Sequence, residues 1–229
     1  MELRRNDEDF EILNKELNDE NVLLEYKKPF DNYRVSFVPR VLGGLMVASG
    51  NIVYREEPSY LKFRAIEVIA RVPYHSWASA AYTLLTTFYT DEKKSMRLSD
   101  VAKYARLAQD NETMHVVVIS QLAREEGKPD IFRHTIFPVV FAFFYFWVSY
   151  FLYLANPRYS HELNYLFEQH AFDQYSYFLE KHSEELKNKM AKSEFLEWYG
   201  RYPRNQYEFF LSVRNDEIIH RNTSVHGVV

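Results

Sequence analysis

Two glutamates of this chain lie among large apolar neighbours and two more precede a histidine by three residues, and this pattern limits the fold more than any other feature. Glu67 stands in the string RAIEVIARVPY, and Glu168 stands in YLFEQHAFDQY. Glu112 and Glu217 each precede a histidine by three residues, in DNETMH and NDEIIH. A buried carboxylate is costly unless it is paired or bound to a metal. The four acids therefore need one common explanation.

Apolar residues recur at helical intervals along most of the chain, which predicts an all-α fold. Only 6 of the 229 residues are glycine, fewer than a turn-rich β fold would need. We expect a polar, frayed arm over residues 1–32 and a single helical domain over 33–229. The polar stretch 91–95 is interpreted as the end of the second helix. Six helices are predicted, at Phe37–Tyr54, 61–90 with a bend at Pro73, 98–126, 135–155, 160–189 and 205–223.

The two Glu-x-x-His pairs indicate a metal site. Three residues are close to one helical turn, so Glu112 and His115 share a helix face, as do Glu217 and His220. One such pair alone is more often a surface ion pair. The order Glu, Glu-x-x-His, Glu, Glu-x-x-His on four helices is the arrangement by which ferritin-like four-helix bundles hold two metal ions. The chain has no cysteine, so the ligands are oxygen and nitrogen atoms, which suit iron, manganese or zinc.

Three neighbours of these residues are candidate supporting groups. Asn111 and Asp216 each directly precede a glutamate of a pair, and such a side chain can take the second N–H of a metal-binding imidazole. Tyr175 follows Glu168 by seven residues, two turns along the same face, where a phenol could donate an electron and a proton. The alternative for Tyr175 is one more interfacial aromatic among 18 tyrosines.

Residues 135–155 carry no charged side chain and consist mainly of Phe, Val, Tyr and Leu. Their length and hydropathy are those of a membrane-spanning helix. A helix that lies along a membrane surface, with protein on its other side, has the same composition. A formal net charge of -4 without a long basic block argues against nucleic acid as a partner. Residues 1–9 are mixed in charge, unlike a signal or transit peptide.

Five strings, in order along the chain, resemble the alternative oxidase family and within it the plastid terminal oxidase branch. Together they span most of residues 60–223 and surround the acids and histidines described above. The strings are RAIEVIARVPY (64–74), NETMH (111–115), YFLYLANPR (150–158), EQHAFDQY (168–175) and RNDEIIH (214–220).

The resemblance implies a quinol:oxygen oxidoreductase that oxidises two quinols and reduces one oxygen molecule to two waters without pumping protons. Tyr175 would match the redox-active tyrosine of the family. We expect quinol to dock in an apolar channel near Lys62, Ile66, Ala171 and Gln174. The family usually has arginine where this chain has Lys62, which cannot form the same bidentate hydrogen bonds. The resemblance assigns two iron ions to six ligands: Glu67, Glu112, His115, Glu168, Glu217 and His220.

Family members are monotopic homodimers that lie on one membrane leaflet, which would put Phe37–Tyr54 and 135–155 against lipid. The string EQHA, in place of a triple glutamate, favours the plastid-like branch and plastoquinol. The short link between the fifth and sixth helices, together with an N-terminus unlike a transit peptide, points to a cyanobacterial or related form. We expect a thylakoid or cytoplasmic membrane of such a source, or a plastid. Three alternatives remain: a di-iron quinone-ring hydroxylase or other monooxygenase, an iron-storage or structural bundle, and a membrane-spanning protein without a redox role.

Overall fold

The computed structural model describes residues 7–55, 57–125 and 127–226, and all regular structure within these ranges is helical. The prediction of an all-α fold is therefore confirmed. A 3₁₀ turn (Ala123–Glu125) and a π-helix (Phe132–Ile136) extend two of the helices. The α-helices are α1 (Asp7–Glu16), α2 (Glu20–Lys27), α3 (Phe37–Tyr54), α4 (Tyr60–Ala70), α5 (Val72–Phe88), α6 (Glu92–Leu122), α7 (Phe137–Ala155), α8 (Pro157–Lys187), α9 (Glu194–Tyr199) and α10 (Gln206–His226).

Four of these helices, α4, α6, α8 and α10, form the central bundle. Helix α10 packs along α8, α4 packs along α6, and α10 also meets α6. Each of the four contributes to one apolar cluster, with Phe63, Met114, Phe178 and Phe210 among its members. Helix α5 lies between α6 and α7, and α3 covers α8 from outside. The predicted four-helix bundle with two additional apolar helices is thus present.

Two of the differences between the predicted and the observed helices are large. The predicted helix over 61–90 is two helices, α4 and α5, separated at Arg71, with Pro73 in the first turn of α5. Proline is well tolerated there because its missing N–H would have no helical partner. The polar stretch 91–95 begins α6 rather than ending a helix, since the Asp91 carboxylate accepts a hydrogen bond from the backbone N–H of Lys94 at 3.0 Å.

The prediction of a frayed arm over 1–32 is wrong for the residues that the structure describes. Helices α1 and α2 occupy most of residues 7–32, and only 1–6 lie outside the description. Phe10, Leu13 and Leu17 are buried and pack against Ile218 and Ile219 of α10. Phe10 and Leu13 of α1 and Leu17 directly after it are spaced by three and four residues, so they form one stripe. The domain division at residue 32 stays a prediction.

The two most apolar helices lie at the surface. Phe37–Tyr54 and Phe132–Ala155 are each long and apolar enough to cross a membrane, judged by length and composition alone. Yet only 11% and 17% of their apolar windows are buried in the protein. A soluble core helix would bury most of that surface. The exposed side chains on α7 form a stripe along one face, namely Val139, Val140, Phe143, Phe144, Trp147, Val148 and Phe151.

Candidate metal centre

The six predicted ligand residues, one or two from each bundle helix, come together in the interior of the bundle. Each is at most 2% exposed. They form two overlapping groups, within each of which the ligand atoms all lie within 4.8 Å of one another. Glu112 and Glu217 belong to both groups, so each can bridge two ions. The groups are Glu67, Glu112, His115 and Glu217, and Glu112, Glu168, Glu217 and His220.

Many polar atoms of this cluster have no hydrogen-bond partner within the part of the chain that the structure describes. They include both carboxylate oxygens of Glu217, Oε2 of Glu67 and Nε2 of His220, while Nδ1 of His220 lies 2.7 Å from Oε1 of Glu112. Buried polar atoms are nearly always satisfied in folded proteins, because an unsatisfied one costs free energy. Four carboxylates and two neutral imidazoles match the charge and ligand preference of two divalent transition-metal ions. The residues present therefore fit a two-metal site.

The ring of His115 is held by a buried carboxylate. Its Nε2 lies 2.8 Å from Oδ2 of Asp216, while its Nδ1 faces Glu67 and Glu112, at 3.3 Å from a carboxylate oxygen of each. A metal-binding histidine usually donates its second ring N–H in this way, which fixes the tautomer and the ring orientation. Arg201 donates to both oxygens of Asp216, at 2.5 and 3.1 Å.

The two imidazoles are supported differently. Asn111 donates to Oδ2 of Asp216 at 3.1 Å, so it reaches His115 only through that carboxylate. The ring of His220 packs instead against two aromatic rings, with centroid distances of 5.7 Å to Phe10 and 5.2 Å to Tyr74. Asp216 therefore contacts the imidazole of His115, which lies on the neighbouring helix.

The electrostatics of the centre follow from crowding four carboxylates out of water. Burial, together with the charge of Glu112, raises the pKa of Glu67 to about 7 and also raises those of Glu168 and Glu217. Burial opposes ionisation of Glu112 as well, but His115 and then His220 lower its pKa. Cations between the carboxylates would relieve this repulsion, so metal binding should release protons.

Two tyrosines each hydrogen-bond to a glutamate on another helix, and each of these glutamates belongs to only one of the two ligand groups. The hydroxyl of Tyr175 donates to Oε1 of Glu67, and its fully buried ring stacks on Phe63 with centroids 4.2 Å apart. The hydroxyl of Tyr74 donates to Oε1 of Glu168 at 2.6 Å. Sequence reasoning singled out Tyr175 but missed Tyr74, although Tyr74 follows Glu67 by the same seven residues that separate Tyr175 from Glu168.

A small, mainly apolar cavity of about 50 Å³ lies between α3, α4, α7 and α8. Lys62, Ile66 and Ala171, which the sequence analysis places near the docked quinol, line it, and so does the candidate metal ligand Glu168. Gln174 accepts a hydrogen bond from Nζ of Lys62 at 2.8 Å. Sequence reasoning did not find the share of the wall that α3, α7 and the outer face of α8 provide. Those lining residues include Met46, Ser49, Asn51, Tyr54, Phe137, Phe141, Phe167 and His170.

The sequence profile of the alternative oxidase family matches residues 31–227, which is most of the chain. The chain belongs to the alternative oxidase family. The resemblance predicted from five short strings is thereby confirmed.

One curated relative is ubiquinol oxidase 4, chloroplastic/chromoplastic, from Arabidopsis thaliana, which is 28% identical over 193 residues. That alignment takes in 75% of this chain and 51% of the relative, so the chain spans about half the length of the relative that it matches. The chloroplastic name agrees with the predicted plastid branch of the alternative oxidases. No solved structure matches this chain significantly.

Proposed function

We propose that this chain is a quinol oxidase that passes electrons from quinol to oxygen at a di-iron centre, forms water and pumps no protons. One observation supports this most strongly. Two overlapping ligand groups share Glu112 and Glu217, and a third ligand, Glu168, also lines an apolar cavity. This arrangement supports a two-metal site that adjoins a site for an apolar substrate. The family and the name of the curated relative point to the same reaction.

In this proposal the first ligand group would hold one iron ion and the second would hold the other, and Glu112 and Glu217 belong to both groups. The two ions would supply the binding and reduction of oxygen. The protein fixes the positions of the ligands and keeps bulk water away, since all six ligand residues are buried. Asp216 holds His115 in the tautomer that leaves Nδ1 free to bind an ion.

Quinol would enter from the lipid side, because α3 and α7 form part of the cavity wall and expose apolar side chains. A cavity of about 50 Å³ is much smaller than the roughly 300–1,000 Å³ of typical small-molecule sites. Side chains of the wall must therefore move to admit a quinol ring. The Nζ of Lys62, whose hydrogen bonds include those to the backbone oxygen of Arg55 and to Gln174, can then donate to a quinone oxygen.

Tyr175 is proposed as a local donor of one electron and one proton, and the proton has an acceptor at Oε1 of Glu67. We expect Tyr175→Phe to bind two iron ions but to lose most of its turnover. Normal turnover by this variant would remove Tyr175 from the mechanism. Its counterpart Tyr74 donates to Glu168, and Tyr74→Phe is the matched comparison on the other side of the centre.

The proposed location is one leaflet of a membrane, on which α3 and α7 lie with their exposed apolar faces in lipid. A thylakoid membrane, a cytoplasmic membrane or a plastid membrane would provide the quinol. We further propose a homodimer, as the resemblance implies.

The test is oxygen uptake by the iron-loaded protein in detergent or liposomes, with plastoquinol or ubiquinol analogues and with cyanide present. We expect uptake of one oxygen per two quinols without peroxide. Glu112→Ala should lose both bound iron and uptake, whereas the exposed control Glu184→Ala should keep both. Two bound irons without uptake, or uptake by Glu112→Ala, would contradict the proposal. Labelled oxygen found in the organic product rather than in water would indicate a hydroxylase.

A further inference from the structure

We propose that Asn14 is a positioning residue of the metal centre, which acts on His115 through Asp216. The N-terminal segment would then be part of the machinery that tightens one of the two metal positions. This inference rests on the proposed metal centre and deepens it. Asn14 belongs to α1, which precedes the residues 31–227 that match the family.

Helix α1 packs against α10 beside the candidate metal ligand His220. Its buried side chains pack on α10, and the ring of Phe10 lies beside that of His220. Polar contacts run along the same junction. Arg214 of α10 donates to Glu20 at 3.0 Å, and Arg221 donates to Asp31 at 2.8 Å. These ion pairs join α2 and the residues after it to α10, while the packing of Phe10 and Leu13 against α10 places Asn14.

Asn14 itself is only 3% exposed, and the NH₂ group of its side-chain amide makes two hydrogen bonds. Its Nδ2 donates to the backbone oxygen of Ser212 at 2.7 Å and to Oδ1 of Asp216 at 2.6 Å. The backbone oxygen of Asn14 accepts a hydrogen bond from Asn215 at 2.9 Å. A buried side chain with two short donor contacts has one orientation, so the position of the donor relative to Asp216 is defined.

The carboxylate of Asp216 links Asn14 to His115, because one of its oxygens contacts each residue. Its Oδ1 accepts from Asn14 and Arg201, and its Oδ2 accepts from Arg201 and Asn111 and faces Nε2 of His115. Without Asn14, Oδ1 would keep only the 3.1 Å contact with Arg201, and the carboxylate could rotate towards that guanidinium. Rotation would move the acceptor away from Nε2 and release the ring of His115.

The predicted effect is confined to one half of the centre. His115 belongs to the group with Glu67, whereas His220 belongs to the group with Glu168. Mutations of groups that orient metal ligands typically lower metal affinity by about 10–100-fold. Loss of Asn14 should therefore weaken the His115 position by about that factor and leave the His220 position unchanged. A purely structural role would weaken both positions or neither.

The experiment is anaerobic calorimetric titration of the full, metal-free chain with Fe²⁺. Variants His115→Ala and His220→Ala assign the two binding steps, since each should remove one. We expect Asn14→Ala to weaken the His115 step selectively. Asn14→Ser, which keeps one donor, should fall between wild type and Asn14→Ala, and it serves as the test if the alanine variant does not fold. Leu17→Ala is the matched control, because Leu17 is buried in the same junction but has no role at Asp216.

Selective weakening by Asn14→Ala, with Leu17→Ala binding like wild type, would support the proposal. Equal weakening of both steps, no weakening, or the same selective loss in Leu17→Ala would overturn it. The wild-type titration separates this from the proposed function. If the wild type fails to bind two ions, the metal centre itself is refuted and this inference with it.

Discussion

Replacing Arg201 by methionine should destabilise the protein far more than the same change at Arg204, although both lie in the RYPR turn before α10. The Arg201 side chain is only 7% exposed and donates to Asp216 and Glu11. Removing one partner of a buried ion pair costs about 3–5 kcal/mol, because the other charge stays buried. For a protein of this size that cost lowers the melting temperature by about 6–20 °C. Arg204 pairs with Glu208 in solvent, so its loss should change the melting temperature very little.

The pH dependence gives this prediction a second signature. Burial would raise the pKa of Asp216, but Arg201 and His115 hold it below the usual range. A lowered pKa in the folded state stabilises the protein above the unfolded pKa of about 3.9, and that stabilisation is lost as the pH falls through the folded value. In Arg201→Met, burial should raise the pKa of Asp216, so mild acid would neutralise it. The difference in melting temperature between wild type and Arg201→Met should therefore be largest near neutral pH and become smaller towards about pH 4.

The assay is thermal unfolding of the metal-free protein in detergent, followed by circular dichroism over that pH range. Wild type, Arg201→Met and Arg204→Met are compared under identical conditions. Equal melting temperatures for the two variants would refute the reasoning, and so would a deficit that widens in acid.

Two further predictions use the same unfolding assay. Gly44→Ala should stabilise α3 by about 1 kcal/mol, because alanine favours a helix and nothing lies near the new Cβ. Gly43→Ala should stabilise the protein less, since its Cβ would lie 2.7 Å from Cδ1 of Leu166. Equal stabilisation by the two variants would contradict this. Burial lowers the pKa of His161, beside Trp77, to about 4, so wild type should lose up to about 3 kcal/mol as the pH falls from about 6.5 to 4. His161→Phe should abolish that loss, and an unchanged pH profile would show that another group causes it.

The cluster of four acids could be predicted from sequence because each signal is local. A carboxylate among apolar neighbours and a histidine one turn further need no tertiary information. The packing of the helices decides which possible metal ligands come together in one ligand group. The sequence could therefore not assign Glu112 and Glu217 to both ligand groups. Tyr175 illustrates the limit. Seven residues span about 10.5 Å along a helix, too far for a contact with Glu168, and the hydroxyl meets Glu67 on another helix instead.

The N-terminal segment was misjudged because its overall polarity hid a periodic signal. Phe10, Leu13 and Leu17 are few among many charges, yet they define a stripe that α10 covers. Asn14 gave no signal, since a buried asparagine looks like any other in a polar helix. The start of α6 was likewise missed because a polar run was interpreted as a stop, although Asp91 is a good N-cap residue.

The hydrogen bond between Asn14 and Asp216 joins residues 202 positions apart, and this separation sets the timing of assembly in the cell. At about 5–20 residues per second, a ribosome needs roughly 10–40 s to synthesise the chain between them. Until α10 has been synthesised, the apolar stripe of α1 lacks the residues of α10 that bury it. A nascent chain that stops before α10 has Glu67, Glu112, His115 and Glu168 but neither Glu217 nor His220. The first ligand group is complete only when synthesis has passed Glu217 and the second only when it has passed His220, so in the proposed function both metal ions would be bound after α10 has been made.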